Sequence, residues 1–143
     1  MAKPLAKHRR SGHFFQVHSV WFQSPAFRDL SVYARNLLFE FLDIYQPGRN
    51  GELSISTRRA MKLISISEKP CLRAFAELVE HGFLILRNHE NWTQRKAREF
   101  ELTIMGMDNR QPKDLWKQWQ SENPVATLPL KKKPRPYIVR QSV

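Results

Sequence analysis

Apolar residues return at helical spacing in three stretches of the chain. The clearest lies between Ser67 and Gly82, where Cys71, Leu72, Phe75, Leu78 and Val79 form one stripe. At ~100° per residue, Lys69, Arg73, Glu77 and Glu80 fall on the opposite face. Ser67 is placed to cap that helix, and Pro70 sits in its first turn, where a missing N–H costs nothing. Gly82 stands where a left-handed residue ends a helix. A second stripe, Ala34, Leu37, Leu38, Phe41, Leu42 and Tyr45, predicts a helix over 32–45 capped by Ser31. It stops at the turn Gln46-Pro47-Gly48-Arg49-Asn50-Gly51. The third stripe is short. Ser56 caps a helix over 57–63 that turns Ala60, Leu63 and Ile64 inward and Arg58, Arg59 and Lys62 outward. Only Ile64-Ser65-Ile66 separates it from the next cap, so the two helices must cross steeply.

Elsewhere the period is two or absent. Leu53-Ser54-Ile55 predicts a very short strand, and Phe83-Leu84-Ile85-Leu86-Arg87 a longer one. After a polar loop, Lys96, Arg98, Phe100 and Leu102 alternate with Ala97, Glu99, Glu101 and Thr103. That reads as a β-hairpin with Phe100 and Leu102 packed inward and Arg95, Lys96 and Arg98 near its tip. Between His13 and Phe27 the aromatics Phe14, Phe15, Trp21, Phe22 and Phe27 follow no clear period, although Phe15, Val17 and Ser19 mark a short extended segment. The stretch reads as a strap that lays its rings over the domain, in preference to a platform for stacking bases. The domain is thus expected over 13–107, behind a flexible basic arm over 1–12. Residues 108–123 are expected to hold one more short helix, over 112–120, that presents Leu115, Trp116 and Trp119. From Pro124 to the end come four of the nine prolines and the run Lys131-Lys132-Lys133-Pro134-Arg135, the composition of a disordered basic tail.

Composition narrows the function classes. A chain of 143 residues with 41% apolar content can build one core. No run approaches the length of a membrane span, and the basic N-terminus has no apolar segment before Ser11. The single cysteine, Cys71, excludes a disulfide within the chain and suits a reducing, cytoplasmic setting. The net charge of +11 is unevenly spread. Residues 1–27 carry four bases and 128–143 carry five, with no acid in either, so 15 bases face all 13 acids in the middle. Basic tails suit a polyanion such as nucleic acid, and also fit a solubilising or membrane-surface segment.

Charge order within the main helix adds a sharper clue. A helix tuned for stability places acids first and bases last. Here Lys69 and Arg73 come early and Glu77 and Glu80 late; only Glu68 follows the rule. The order suits a helix whose N-terminal half meets an anion, or else a solvated face with an Arg73–Glu77 pair. Signs of catalysis are weak. His13 and His18 stand five apart with no Cys or carboxylate cluster nearby, and Gly48-x-x-Gly51 lacks the Gly-Lys-Ser/Thr of a phosphate loop. Cys71 lies on the apolar stripe as a structural thiol, and His81 before Gly82 suits the helix dipole. No enzyme, metal or cofactor is expected.

Three strings carry a family resemblance: Leu-Ser-Val-Tyr-Ala-Arg-Asn-Leu-Leu, then Asn-Gly-Glu-Leu-Ser-Ile-Ser, then Ser65 to Leu84. Over residues 24–104 the chain resembles the winged helix-turn-helix modules of bacterial, plasmid and phage replication and regulatory proteins. The resemblance implies an α+β fold, mainly helical, with three helices, a β-hairpin wing and flexible basic tails. It implies double-stranded DNA as partner, in transcription regulation or in replication and maintenance of a mobile element, with a nucleoid-associated location. A homodimer or a replication or transcription protein are further partners it allows. The DNA-binding positions it implies are Thr57, Arg58 and Arg59 on one helix, then Ser65, Ser67, Lys69, Pro70 and Arg73 on the recognition helix and its turn. Arg95, Lys96 and Arg98 take the wing. Pro70 stands where the family pattern often has Thr or Ser, and Ile64-Ser65 where a Gly often opens the turn. Tail contacts to phosphate fall to Arg9, Arg10, Lys131, Lys132, Lys133 and Arg135, and RNA binding through the arms is a weaker alternative. The main competing reading is a protein-interaction adaptor anchored by Trp92, Trp116 and Trp119.

Overall fold

The computed structural model describes residues 12–88, 97–107 and 109–128. The expected Arg9, Arg10, Arg95, Lys96, Lys131, Lys132, Lys133 and Arg135 contacts, with Trp92, lie outside the described residues. The class is α+β, with five α-helices and a two-stranded antiparallel sheet among the described residues.

The strap holds two of those helices, α1 (Ser19–Phe22) and α2 (Pro25–Asp29), where no periodic element was expected. Four and five residues are too few to display a period, yet Ser24-Pro25 is a cap followed by a proline at the first helical position. Ser24 Oγ accepts from the Phe27 N–H at 3.1 Å. Of the strap's rings only Trp21 and Phe27 are buried; Phe14, Phe15 and Phe22 stay exposed.

Helix α3 (Val32–Ile44) starts as expected, with Ser31 Oγ accepting from the Ala34 N–H at 3.1 Å. Ala34, Leu37, Leu38, Phe41 and Leu42 are buried, and Tyr45, just past its end, donates to the Gly106 carbonyl at 2.8 Å. The turn then closes through a short 3-10 segment, Pro47–Arg49. The expected strand at 53–55 shrinks to one bridge, in which Leu53 and Phe100 exchange N–H···O bonds of 3.1 and 2.7 Å.

Helix α4 (Thr57–Leu63) is capped by Ser56, whose Oγ accepts from the Arg59 N–H at 3.1 Å. Leu63, expected inward, is 38% exposed; the helix packs through Ala60, with Met61 and Ile64 partly buried. Two turns of helix present only a narrow stripe, and Leu63 lies ~60° round from Ala60. Ser65 itself takes the left-handed conformation, at φ 55°, and Ile66 N–H reaches back to the Met61 carbonyl at 3.1 Å. The turn that a glycine often opens is made by serine here.

Helix α5 (Glu68–Glu80) begins after Ser67, which has extended backbone but makes no side-chain cap hydrogen bond. The rest of the expected stripe is buried except Leu72, and Ala74 and Ala76 join it. Phe41 of α3, Phe75 of α5 and Phe100 meet with ring centroids 5.6 to 6.1 Å apart. Strands β1 (Leu84–Leu86) and β2 (Phe100–Leu102) pair antiparallel, Leu84 opposite Leu102 and Leu86 opposite Phe100. These two pairs face the core. The other face, expected to be polar and outward, is covered too: Glu101 and Thr103 are buried.

The cover comes from residues 105–107 and 109–128. Lys113 Nζ lies 3.0 Å from the Glu101 carboxylate, and a 3-10 segment, Leu115–Gln118, stacks Trp116 on Phe83 at 6.5 Å. The expected helix over 112–120 is thus a single 3-10 turn. Trp119 stacks on His81 at 4.8 Å, the Val125 N–H donates to the Glu80 carbonyl at 2.8 Å, and Leu128 is buried. Residues 124–128 therefore belong to the fold and not to a disordered tail. Low hydropathy hid this, because the anchors are few and lie far apart in sequence.

Candidate nucleic-acid interface

Helices α4 and α5 pack on each other, joined by the short turn through Ser65 and with Cys71 Sγ 3.7 Å from the Thr57 carbonyl. Each of the two helices keeps an exposed side. Arg58, Arg59, Lys62, Ser65, Ser67, Lys69 and Arg73 are exposed there, while Thr57 and Pro70 are half-buried at the seam. Pro70 is the third residue of α5, where the backbone donor is not used within the helix.

The bases of this face differ in their company. Among the described residues, Arg49, Arg73, Arg87, Lys113 and Lys117 each have a carboxylate within 4.0 Å. Arg58, Arg59, Lys62 and Lys69 have none. Local sequence is the cause: residues 53–67 contain three bases and no acid. Lys62 was not in the implied DNA-binding set, although helical spacing places it beside Arg58 and Arg59.

Arg73 does not make the expected pair with Glu77. Its guanidinium forks onto Glu80, with Nη1–Oε1 at 3.2 Å and Nη2–Oε2 at 2.9 Å. Glu77 instead turns to the start of α3, where it accepts from Ser31 N–H at 3.1 Å and Ser31 Oγ–H at 2.6 Å. A carboxylate at a helix N-terminus is favoured by the dipole and by the open amide. The late acids of α5 therefore have partners inside the fold, which sequence order alone does not reveal.

Arg98 is also placed differently. It lies half-buried, with its guanidinium 5.5 Å from the Phe75 ring centre and 5.8 Å from that of Phe100. Burial lowers its pKa, with the Cys71 thiol opposing the shift. A wing-tip phosphate contact was expected; stacking on two core rings holds this arginine against the flank of α5 instead.

Cys71 is fully buried, its Sγ 3.7 Å from the Thr57 carbonyl. Burial raises the thiol pKa; Arg98 pulls it down less strongly and Glu68 adds to the rise. Neutral and enclosed, it is a packing residue. In the native protein it should react with a disulfide reagent on the order of a hundredfold more slowly than in denaturant. Absorbance of the released thiolate measures both rates, and equal rates would contradict the burial. His13 contacts Asp43 at 3.3 Å, and the His18 ring lies tilted against Trp21 with centroids 4.6 Å apart. Among the described residues no helix is long and apolar enough to cross a membrane.

Chemically, the α4/α5 face offers four unpaired cations and two free hydroxyls on rigid elements, a set that suits phosphate oxygens and base edges. Comparison with protein-family models, curated proteins and solved structures finds no match.

Proposed function

We propose that this chain is a winged-helix protein that binds double-stranded DNA. Helix α5 enters the major groove by its N-terminal half, and the hairpin of β1 and β2 is the wing. The observation that carries the reading is the cluster of Arg58, Arg59, Lys62 and Lys69, exposed and without carboxylate partners on the two crossing helices. Five other described bases, Arg49, Arg73, Arg87, Lys113 and Lys117, do have a carboxylate within 4.0 Å, and Arg28 and Arg35 lie over aromatic rings. An anionic rod supplies the counter-charge that the four lack, and a helix fits the width of the major groove. Its work would be transcription regulation, or replication and maintenance of a mobile element, in a cytoplasmic, nucleoid-associated setting. The adaptor reading has less support, because Trp116 is buried against Phe83 and Trp119 lies on His81.

The test is a fluorescence-anisotropy titration of a labelled duplex over a range of salt, with the full chain and the variant R58A/R59A/K62A/K69A. Each phosphate contact contributes about 0.9 to the slope of log affinity against log salt. The variant is expected to flatten that slope by about 3 and to lose the selectivity that enrichment from a random duplex pool detects with the parent chain. An unchanged slope, or a parent chain that binds no duplex at low salt, would overturn the reading.

A further inference from the structure

Helix geometry places Lys69, Arg73 and Glu80 on one face of α5, within about 40° of one another, with Arg73 about 6 Å and Glu80 about 16 Å along the axis from Lys69. Arg73 could lean toward the open N-terminal half or back toward Glu80. It leans back, spanning two turns to form a two-pronged contact. The two partners are unequally held. The Arg73 side chain is 52% exposed and Glu80 only 21%, and the Glu80 backbone is fixed by the Val125 N–H. Glu80 is therefore the anchored member and Arg73 the mobile one.

We propose that Glu80 is a built-in competitor for the ligand of Arg73. This rests on the DNA reading above. A guanidinium fork matches a carboxylate and the O6/N7 edge of guanine by the same two-donor geometry, so Arg73 cannot serve both. DNA must displace Glu80 before Arg73 reads a base or touches a phosphate. The cost falls in full on any duplex that draws Arg73 away, and only in part on one that leaves it paired. Glu80 thereby weakens binding to the preferred site at least as much as binding elsewhere.

The experiment compares five proteins, the parent chain, E80Q, E80D, R73A and R73A/E80Q, on the duplex enriched from a random pool and on its scrambled counterpart. Glu80→Gln removes the charge, whereas Glu80→Asp keeps the charge and shortens the arm. Both should tighten binding to the enriched duplex about two- to fivefold, the range set by an exposed ion pair. The gain on the scrambled duplex should be no larger, and E80Q should have no effect in the R73A background. Urea unfolding of each variant confirms that the fold is kept. An equal gain from E80Q with and without Arg73 would mean that only net charge matters, and would overturn the proposal. So would unchanged binding by E80Q, or E80D behaving as the parent. Failure of the parent to bind any duplex is a separate result, which removes the DNA reading itself.

Discussion

Gly82→Ala is expected to destabilise the protein by about 3 kcal/mol or more. Two independent costs combine. Gly82 has φ +83°, a conformation that costs an L residue about 1–2 kcal/mol. A Cβ there would also stand 2.7 Å from the Leu115 carbonyl carbon and from the Trp116 nitrogen, both backbone atoms that cannot rotate away. The position is fixed from the helix side as well. Gly82 N–H donates to the Val79 carbonyl at 3.1 Å and Phe83 N–H to the Leu78 carbonyl at 2.9 Å, the paired closure of a Schellman motif. The strain must therefore push segment 115–118 outward and separate Trp116 from Phe83. Urea unfolding followed by tryptophan fluorescence measures the loss. A change below about 1 kcal/mol would mean that the segment does not lie tight on the glycine.

Asn50→Asp is the second large effect, from a change of one atom. The Asn50 amide nitrogen donates toward the carbonyls of Leu102 at 3.0 Å, Met105 at 3.2 Å and Gly106 at 3.3 Å. Its oxygen accepts from Leu102 N–H at 2.8 Å, all in a buried site. The side chain thus stands in for a strand, satisfying both backbone groups of Leu102 where β2 ends. Aspartate would set a second oxygen against those carbonyls and bury a charge, at a cost of about 3 kcal/mol or more at neutral pH. The sign with pH is fixed. Such a carboxyl holds its proton more tightly in the folded than in the unfolded chain, so stability is lost as pH rises through its folded titration. The variant should approach Asn50→Ala in stability near pH 4 and fall below it at pH 7. Thermal unfolding at the two pH values decides the matter; a variant equally stable at both would contradict the site.

Much of this frame is readable from residue order because it is set locally. Helices α3 and α5 each carry more than three turns of apolar stripe, and Ser31 and Ser56 cap where a short hydroxyl before a periodic run should. The hairpin register follows from Phe100 and Leu102 alternating with polar neighbours. What stays hidden is decided at long range. Glu101 and Thr103 look like the wet face of the strand until residues 109–128 return over them. Arg73 has Glu77 one turn away, yet pairs with Glu80 because Ser31 claims Glu77 across 46 residues. Arg98 reads as a wing cation until two core rings draw it in. Of the candidate site, the four bases on α4 and α5 are legible from helical spacing. Their freedom from partners depends on where every acid goes, and that is a property of the whole fold.

The last turn of α5 also bears on when the molecule can become whole. His81 lies 2.7 Å from Asp29, Glu77 holds Ser31, and the Glu80 carbonyl receives the Val125 N–H. Three ties, each joining residues 45 to 52 apart, converge on five residues. During synthesis α3, α4 and α5 can meet as soon as residue 80 has emerged. The buckle closes only after the stretch through residue 125 is free, so docking of that stretch is a late step in folding, and a chain arrested before it carries an open helix end with the Phe83 and Glu101 sites uncovered.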